Sequence, residues 1–384
     1  MKQKVKKANL LPLVLLILLI FIHPDQKADK DESPSTNEKP RQSFSLPQVA
    51  EGQGLVLFDQ AHGQTAGNAD WVINGAFSDF ADSLIDSGFE IAAQPELIRP
   101  ELLSNCDIYI IPEPNIPFKA AEQAALLDYV EGGGILFIIA DHYNADRNFN
   151  RWDATEIFNG WRRGAYADPG RGMDEAERAA IRGVESSEWL WDNFGFAFRY
   201  NAIDYQKAVF ETAEGFSDLQ GLKIISHGGA TIILADERKV SGLAYAQNNL
   251  QAWEHAVDQG VYFGGRKEGP LLALAQYHSG YVLALADSSP LEDQTAAYRN
   301  EETGAEKRTY AGYSQGDHKL LFPKLLKALL ERRPKLDLNL EPTPTESWEL
   351  PEHSQELESE PWRKPRRNYR WYDPESFAEG AYTG

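Results

Sequence analysis

Apolar residues in this chain gather in short runs of strand length, separated by longer amphipathic stretches. Residues 55–58 (LVLF), 89–92, 107–111 and 135–140 form the first four runs, and the last is apolar almost without interruption. Between them the period changes to that of a helix. In residues 70–87, Trp71, Ile73, Phe77, Phe80, Leu84 and Ile85 share one stripe, and Gly88 follows where a helix C-terminus favours glycine. Pro117 opens a second helical stretch that ends at the triple glycine 132–134. This alternation predicts an α/β fold with a doubly wound, mostly parallel sheet covered on both faces. From Asp141 to Tyr205 the rhythm breaks into a polar, aromatic, Asn- and Gly-rich insert with helical stretches near 174–181 and 187–194. A connection that long is expected to be functional or a lid. Strand-length runs resume at 223–225, 231–234, 243–245, 271–275 and 281–286, joined by glycine-containing turns that suggest added antiparallel hairpins. A leucine-rich helix is expected over 316–332, and no internal repeat is present.

The ends read differently. Lys2, Lys4, Lys6 and Lys7 precede an unbroken apolar run at 10–22, with neither a small-x-small cleavage site nor a lipobox cysteine after it. Residues 1–23 are therefore expected to be an uncleaved signal anchor in the inner membrane, with the body outside the cytoplasm. A cleaved signal and a periplasmic or secreted body is the alternative. Residues 24–50 are a polar linker, 51–333 the folded body, and 334–384 a disordered tail whose acidic part precedes the basic aromatic stretch WRKPRRNYRWY. That stretch could dock a protein partner or an anionic membrane surface, or fold back on the acidic body.

Composition narrows the chemistry. With 38 Lys and Arg against 58 Asp and Glu, the net charge is −20, which makes nucleic acid an unfavourable partner. The single cysteine, Cys106, excludes an internal disulfide and multi-cysteine metal sites. It sits at the entering edge of its strand, away from the edge where ligands bind.

In a parallel sheet that edge lies beyond the carboxyl ends of the strands. Three polar groups follow such ends: Asp59 and His62 after the first run; Asp141, His142, Asn144, Asp146, Arg147, Asn148, Asn150 and Trp152 after the fourth; and Asp287, Ser288 and Ser289 after the last. Asp59, Asp141, Asp146 and Asp287 offer hard oxygen ligands for a divalent metal, and His62, His142 and Asp141 are the candidate catalytic groups. Asn144, Arg147, Asn148, Asn150, Trp152, Ser288 and Ser289 are candidates for holding a polar ligand. Each Asp could instead cap a turn or helix, and each His could be a satisfied loop residue. The spacing matches no EF-hand, zincin or phosphate-loop motif. Arg162, Arg163 and Arg171 could grip an anion or pair with acidic neighbours. His318 opens the last helix and could reach the same rim.

The segments LVLFDQAHGQ, CDIYIIPEP and EGGGILFIIADH, with the closing YVLALADSSPLED, resemble the class I glutamine amidotransferase-like superfamily over residues 54–331. The resemblance implies a flavodoxin-like sheet. It also implies a nucleophilic cysteine at the elbow after the fourth strand, where this chain has Ala140-Asp141-His142. The likeness is therefore to the non-amidotransferase branch, with its intraflagellar-transport-like and ThuA-like domains. The expected function is a membrane-anchored, extracytoplasmic domain that binds a small polar ligand, such as a carbohydrate or cell-wall fragment. A metal-dependent hydrolase using the Asp and His rim is the alternative.

Overall fold

The computed structural model describes residues 54–64, 71–145, 151–211, 215–235, 240–257, 259–296, 305–306, 310–332 and 342–345. The N-terminal apolar run, the linker and residues 346–384 lie outside these, as do Asp146, Arg147, Asn148 and Asn150 of the polar insert. Among the described residues no helix is long and apolar enough to cross a membrane.

The apolar runs form strands β1 (Leu55–Asp59), β2 (Glu90–Gln94), β3 (Ile108–Pro112) and β4 (Ile135–Ile139). Later strands are β5 (Phe196–Phe198), β6 (Ile203–Phe210), β7 (Lys223–Gly229), β8 (Ile232–Leu234), β9 (Val240–Ala246), β10 (Leu272–Tyr277) and β11 (Gly280–Leu285). One nine-stranded sheet has the order β2-β1-β3-β4-β11-β10-β9-β6-β7, and β5 and β8 make a small second sheet. The first five positions are parallel and follow the flavodoxin-like 2-1-3-4-5 order. The remaining four run antiparallel, as the glycine-punctuated hairpins suggested.

Helices cover both faces. On one, α1 (Ser78–Asp86) and α7 (His318–Arg332) pack together, with Phe80 edge-on to Phe58 and Phe322 stacked on Phe137. On the other, α2 (Pro100–Leu103) and α3 (Ala120–Glu131) meet each other, and α3 contacts β4 and β11. Helix α1 begins later than its apolar stripe, because Asn74-Gly75 breaks the first turns and Gly75 and Phe77 N–H both return to Val72 O. Gly88, at φ 93°, closes it as the sequence implied.

The insert is built of α4 (Ala154–Asn159), α5 (Glu175–Ala180) and α6 (Trp189–Phe194), followed by β5 and the start of β6. It is a packed layer and not a lid, since Trp152, Ile157, Phe158, Trp189 and Phe194 join the main core. Its Arg151 and Arg162 bond within the insert itself. Arg162 Nη1 donates to the carbonyls of Pro169 and Arg171, and Arg151 pairs with Glu177 at 2.8 Å. The tail also departs from expectation at residues 342–345, which lie against β8.

Candidate functional site

The polar groups after β1, β4 and β11 do share one edge of the sheet, but the register divides them. Phe58 pairs with Ile110, Ile110 with Phe137, and Leu285 with Ile139. Extended by two residues, the last pair sets Asp141 level with Asp287. Asp59 lies two strands from β4 and three residues lower, roughly 14 Å from Asp141 at the usual strand spacing and rise. Three is an odd number, so Asp59 also faces the opposite side of the sheet.

On the α3 side, Asp59 and His62 belong to a closed clamp. Asp59 Oδ1 accepts from Tyr109 OH (3.1 Å) and Ala61 N–H (3.3 Å), and Oδ2 from His62 Nδ1 (2.7 Å) and Gln64 Nε2 (2.6 Å). His62 Nε2 meets Glu122 Oε1 at 3.1 Å, while the same carboxylate accepts the N–H groups of Ile98 and Lys119. With a carboxylate on each ring nitrogen, His62 is an imidazolium. Burial alone would lower its pKa, but Asp59 and Glu122 outweigh that and push it up to about 10. In return His62 lowers the Glu122 carboxyl against the effect of burial. Asn115 then ties the loop after β3 to the loop after β1, with its N–H on His62 O and its Nδ2 on Gly63 O. A doubly wound sheet usually binds ligands between β1 and β3, where the strand order reverses. Here the chain's own side chains fill that crevice. The polar atoms of His62 and Asp59 are thus engaged within the clamp, apart from the Asp141 and Asp287 side chains with which the sequence grouped them.

The α7 side is different. The antiparallel half of the sheet curls back until β7 meets the loop after β11. The outward N–H groups of this edge strand are taken by side chains: Lys223 by Asp317 Oδ2 (2.8 Å), Ile225 by His318 Nε2 (2.8 Å), and His227 by Asp287 Oδ2 (2.9 Å) and Ser289 Oγ (3.0 Å). Capping of this kind protects an edge that would otherwise recruit another strand. His318 donates its other nitrogen to Gly312 O and is fully buried, so it supports the rim from beneath and is not part of its surface.

Asp141 and Asp287 are both buried and interact. Burial, then the Asp141 charge, pushes the Asp287 carboxyl up to about 7, although hydrogen bonds from Ser289 oppose the shift. Asp287 Oδ1 accepts Ser289 N–H (2.9 Å) and Oδ2 accepts the Ser289 hydroxyl (2.5 Å). Asp141 Oδ1 accepts His142 N–H at 2.6 Å. His142 Nδ1 donates to Tyr143 O (3.0 Å). The His142 ring packs on Trp253 (centroids 4.4 Å apart) and lies over Gly228. Next to it, the half-buried His227 ring sits between Tyr205 (5.0 Å) and Tyr310 (4.8 Å), with Nε2 3.3 Å from Gln315 Oε1. Two glycines make the approach of β7 feasible. Gly228 has φ 80°, and a Cβ on Gly229 would stand 2.7 Å from Asp287 Cβ.

Other candidates fall elsewhere. Ser288 is turned inward to Glu292 Oε1 at 2.6 Å, and Trp152 is core. Ser289 supports Asp287. Asn144 is exposed at φ 63°, in the turn closed by Ala145 N–H to His142 O. Among the described residues, no three His, Cys, Asp or Glu side chains are grouped to hold a metal ion. Sequence reading missed His227, Tyr205, Trp253, Tyr310 and Gln315. Of these only His227 carries a local signal, a histidine before Gly228-Gly229 at the end of a strand.

No family model matches the sequence, and no curated protein matches it. Solved structures with a related arrangement include the mmIFT52 N-terminal domain, at TM-score 0.43 and 14% identity over 72% of this chain and 97% of that one. A cytoplasmic protein from Salmonella typhimurium is similar at TM-score 0.39 and 13% identity, covering 71% and 98%. A ThuA-like protein from Bacteroides uniformis has TM-score 0.33 and 15% identity, covering 63% and 84%. These are likenesses of fold and assign no chemistry to the rim.

Proposed function

We propose that the body is a ligand-binding domain, a glutamine amidotransferase-like sheet without the elbow cysteine, that holds a neutral polyhydroxylated ligand such as a carbohydrate or cell-wall fragment. The observation that carries this reading is the Asp141–Asp287 carboxyl pair flanked by His142, His227 and the half-exposed rings of Tyr205, Trp253 and Tyr310. Buried carboxyl groups accept hydroxyl hydrogen bonds strongly, and aromatic faces take the C–H side of a sugar ring. An anionic ligand is disfavoured by the carboxyl pair and by a net charge of −20. Saturation-transfer NMR and calorimetry with neutral oligosaccharides and peptidoglycan fragments test the reading. Binding that weakens at least tenfold in Trp253→Ala and Tyr310→Ala supports it; absence of any saturable binding across that panel overturns it.

A second reading rests on the same pair. A carboxyl group pushed up to about 7 beside a second carboxyl group is the kind of pair from which hydrolases draw an acid and a base. Release of reducing ends that is lost in Asp141→Asn and Asp287→Asn would establish it. We assign the body to the extracytoplasmic side of the inner membrane on the N-terminal lysines and apolar run. Protease added to spheroplasts should digest it, and full protection would refute that location.

A further inference from the structure

The outer edge of β8 carries a piece of the chain's own tail. Strand β8 pairs with β5 on one side. On its other side Ile232 N–H donates to Pro270 O, while Leu234 N–H donates to Thr343 Oγ1 (2.7 Å) and Leu234 O accepts Thr343 N–H (3.2 Å). One residue later, Pro344 O accepts from Arg199 Nη2 at 2.7 Å. Arg199 is fully buried, donates from Nε to Glu268 O at 2.9 Å, and lies over the Phe263 ring at 5.0 Å. Glu268 is buried too, and its carboxylate accepts the N–H groups of Tyr262, Phe263 and Gly264 and the Asn201 amide. The edge is therefore held by the body, and among the described residues the tail contributes three hydrogen bonds to it.

We propose that the Leu234 edge and Arg199 form a docking groove for an extended Pro-Thr-Pro peptide, filled in this chain by its own residues 342–345 and open to exchange with the same segment supplied in trans. The contacts are those of strand addition: main-chain hydrogen bonds to an unpaired edge, with one side chain deciding the register. Thr343 alone of the three supplies both a backbone donor and a side-chain acceptor, because Pro342 and Pro344 have no N–H. The prolines restrict the free peptide to extended conformations, which reduces the entropy lost on docking. Guanidinium capture of the Pro344 carbonyl then fixes the segment's end. With a proline on each side of Thr343, the segment has a single backbone donor for the Leu234 edge, and exchange rather than permanent burial is the expected behaviour.

Amide hydrogen exchange on the full chain reads the groove directly. In Thr343→Pro, which removes both Thr343 contacts, exchange at Leu234 should quicken roughly tenfold while β11 is unchanged. Thr343→Ser, which keeps both contacts, should match the parent. A synthetic peptide spanning residues 340–347, added at millimolar concentration to Thr343→Pro, should restore the slow exchange, and the same peptide with proline at the threonine position should not. Unchanged exchange at Leu234 in Thr343→Pro, or failure of the peptide to restore it, would overturn the proposal.

Discussion

His62 offers the sharpest test of the division between clamp and rim. Replacing it with alanine leaves Asp59 and Glu122 buried and facing each other without a cation. Loss of one partner from a buried ion pair typically costs about 3–5 kcal/mol. The pKa shift gives a similar figure. From 6.5 in the unfolded chain to about 10 when folded is some 3.5 units, or roughly 5 kcal/mol at 1.36 kcal/mol per unit. Because the folded value is raised, that contribution is fully present below pH 6.5 and is lost as pH rises through 10. For a body of this size, each kcal/mol moves the melting temperature by roughly 2–4 °C, so His62→Ala should melt about 10 °C lower at pH 6.5. The deficit should shrink towards pH 10. Thermal melts and urea titrations across pH 6.5–10 provide the assay. If His62→Ala melts within about 2 °C of the parent, or if rim binding falls while stability holds, the clamp reasoning is wrong.

Three further outcomes follow from the rim and its supports. His318 is held neutral by burial, with its pKa lowered from 6.5 to about 4, so stability should fall by about 3 kcal/mol as pH drops from 6.5 to 4; urea midpoints should show this slope, and His318→Phe should flatten it. For Asp287, raised from 3.8 to about 7, the sign reverses: the unfolded chain ionises first, and this group weakens the fold as pH rises from 3.8 to 7. Asp287→Asn, which keeps an acceptor for His227 N–H, should therefore be more stable relative to the parent at pH 8 than at pH 4, by chemical denaturation. Gly229→Ala places a methyl 2.7 Å from Asp287 Cβ and should lose about 1–3 kcal/mol together with rim binding, whereas Gly221→Ala, at a positive φ with nothing nearby, should lose stability alone.

The parallel half of the fold was legible because buried strands read as continuous apolar runs. Its antiparallel extension was less so. In β6, Asp204, Tyr205 and Lys207 are exposed, and the strand reads as part of the polar insert. Helix α4 lies in the stretch that reads as polar insert, although Asp153 and Glu156 form a capping box across its first turn. The insert's arginines and tryptophans looked like ligand contacts because residue type alone cannot distinguish a guanidinium that bonds to carbonyls from one that bonds to an anion.

The candidate site was harder to read for a geometric reason. Sequence shows which residues follow strand ends, and Asp59, Asp141 and Asp287 all do. Whether they meet depends on how far each strand runs past its neighbours, and one residue of stagger reverses the face. Asp59 ends β1, while Asp141 and Asp287 each stand two residues beyond theirs. That offset puts Asp59 in the β1/β3 crevice, where His62, Gln64 and Tyr109 satisfy it. It also puts Asp141 and Asp287 under β7, a strand that reaches them only because the far half of the sheet curls back. The crevice that such a sheet ordinarily offers a ligand is closed in this chain. The added strands instead bring His227 of β7, Tyr205 of β6 and residues of the loops after β9 and β11 beside the Asp141 and Asp287 pair, from positions well separated in sequence.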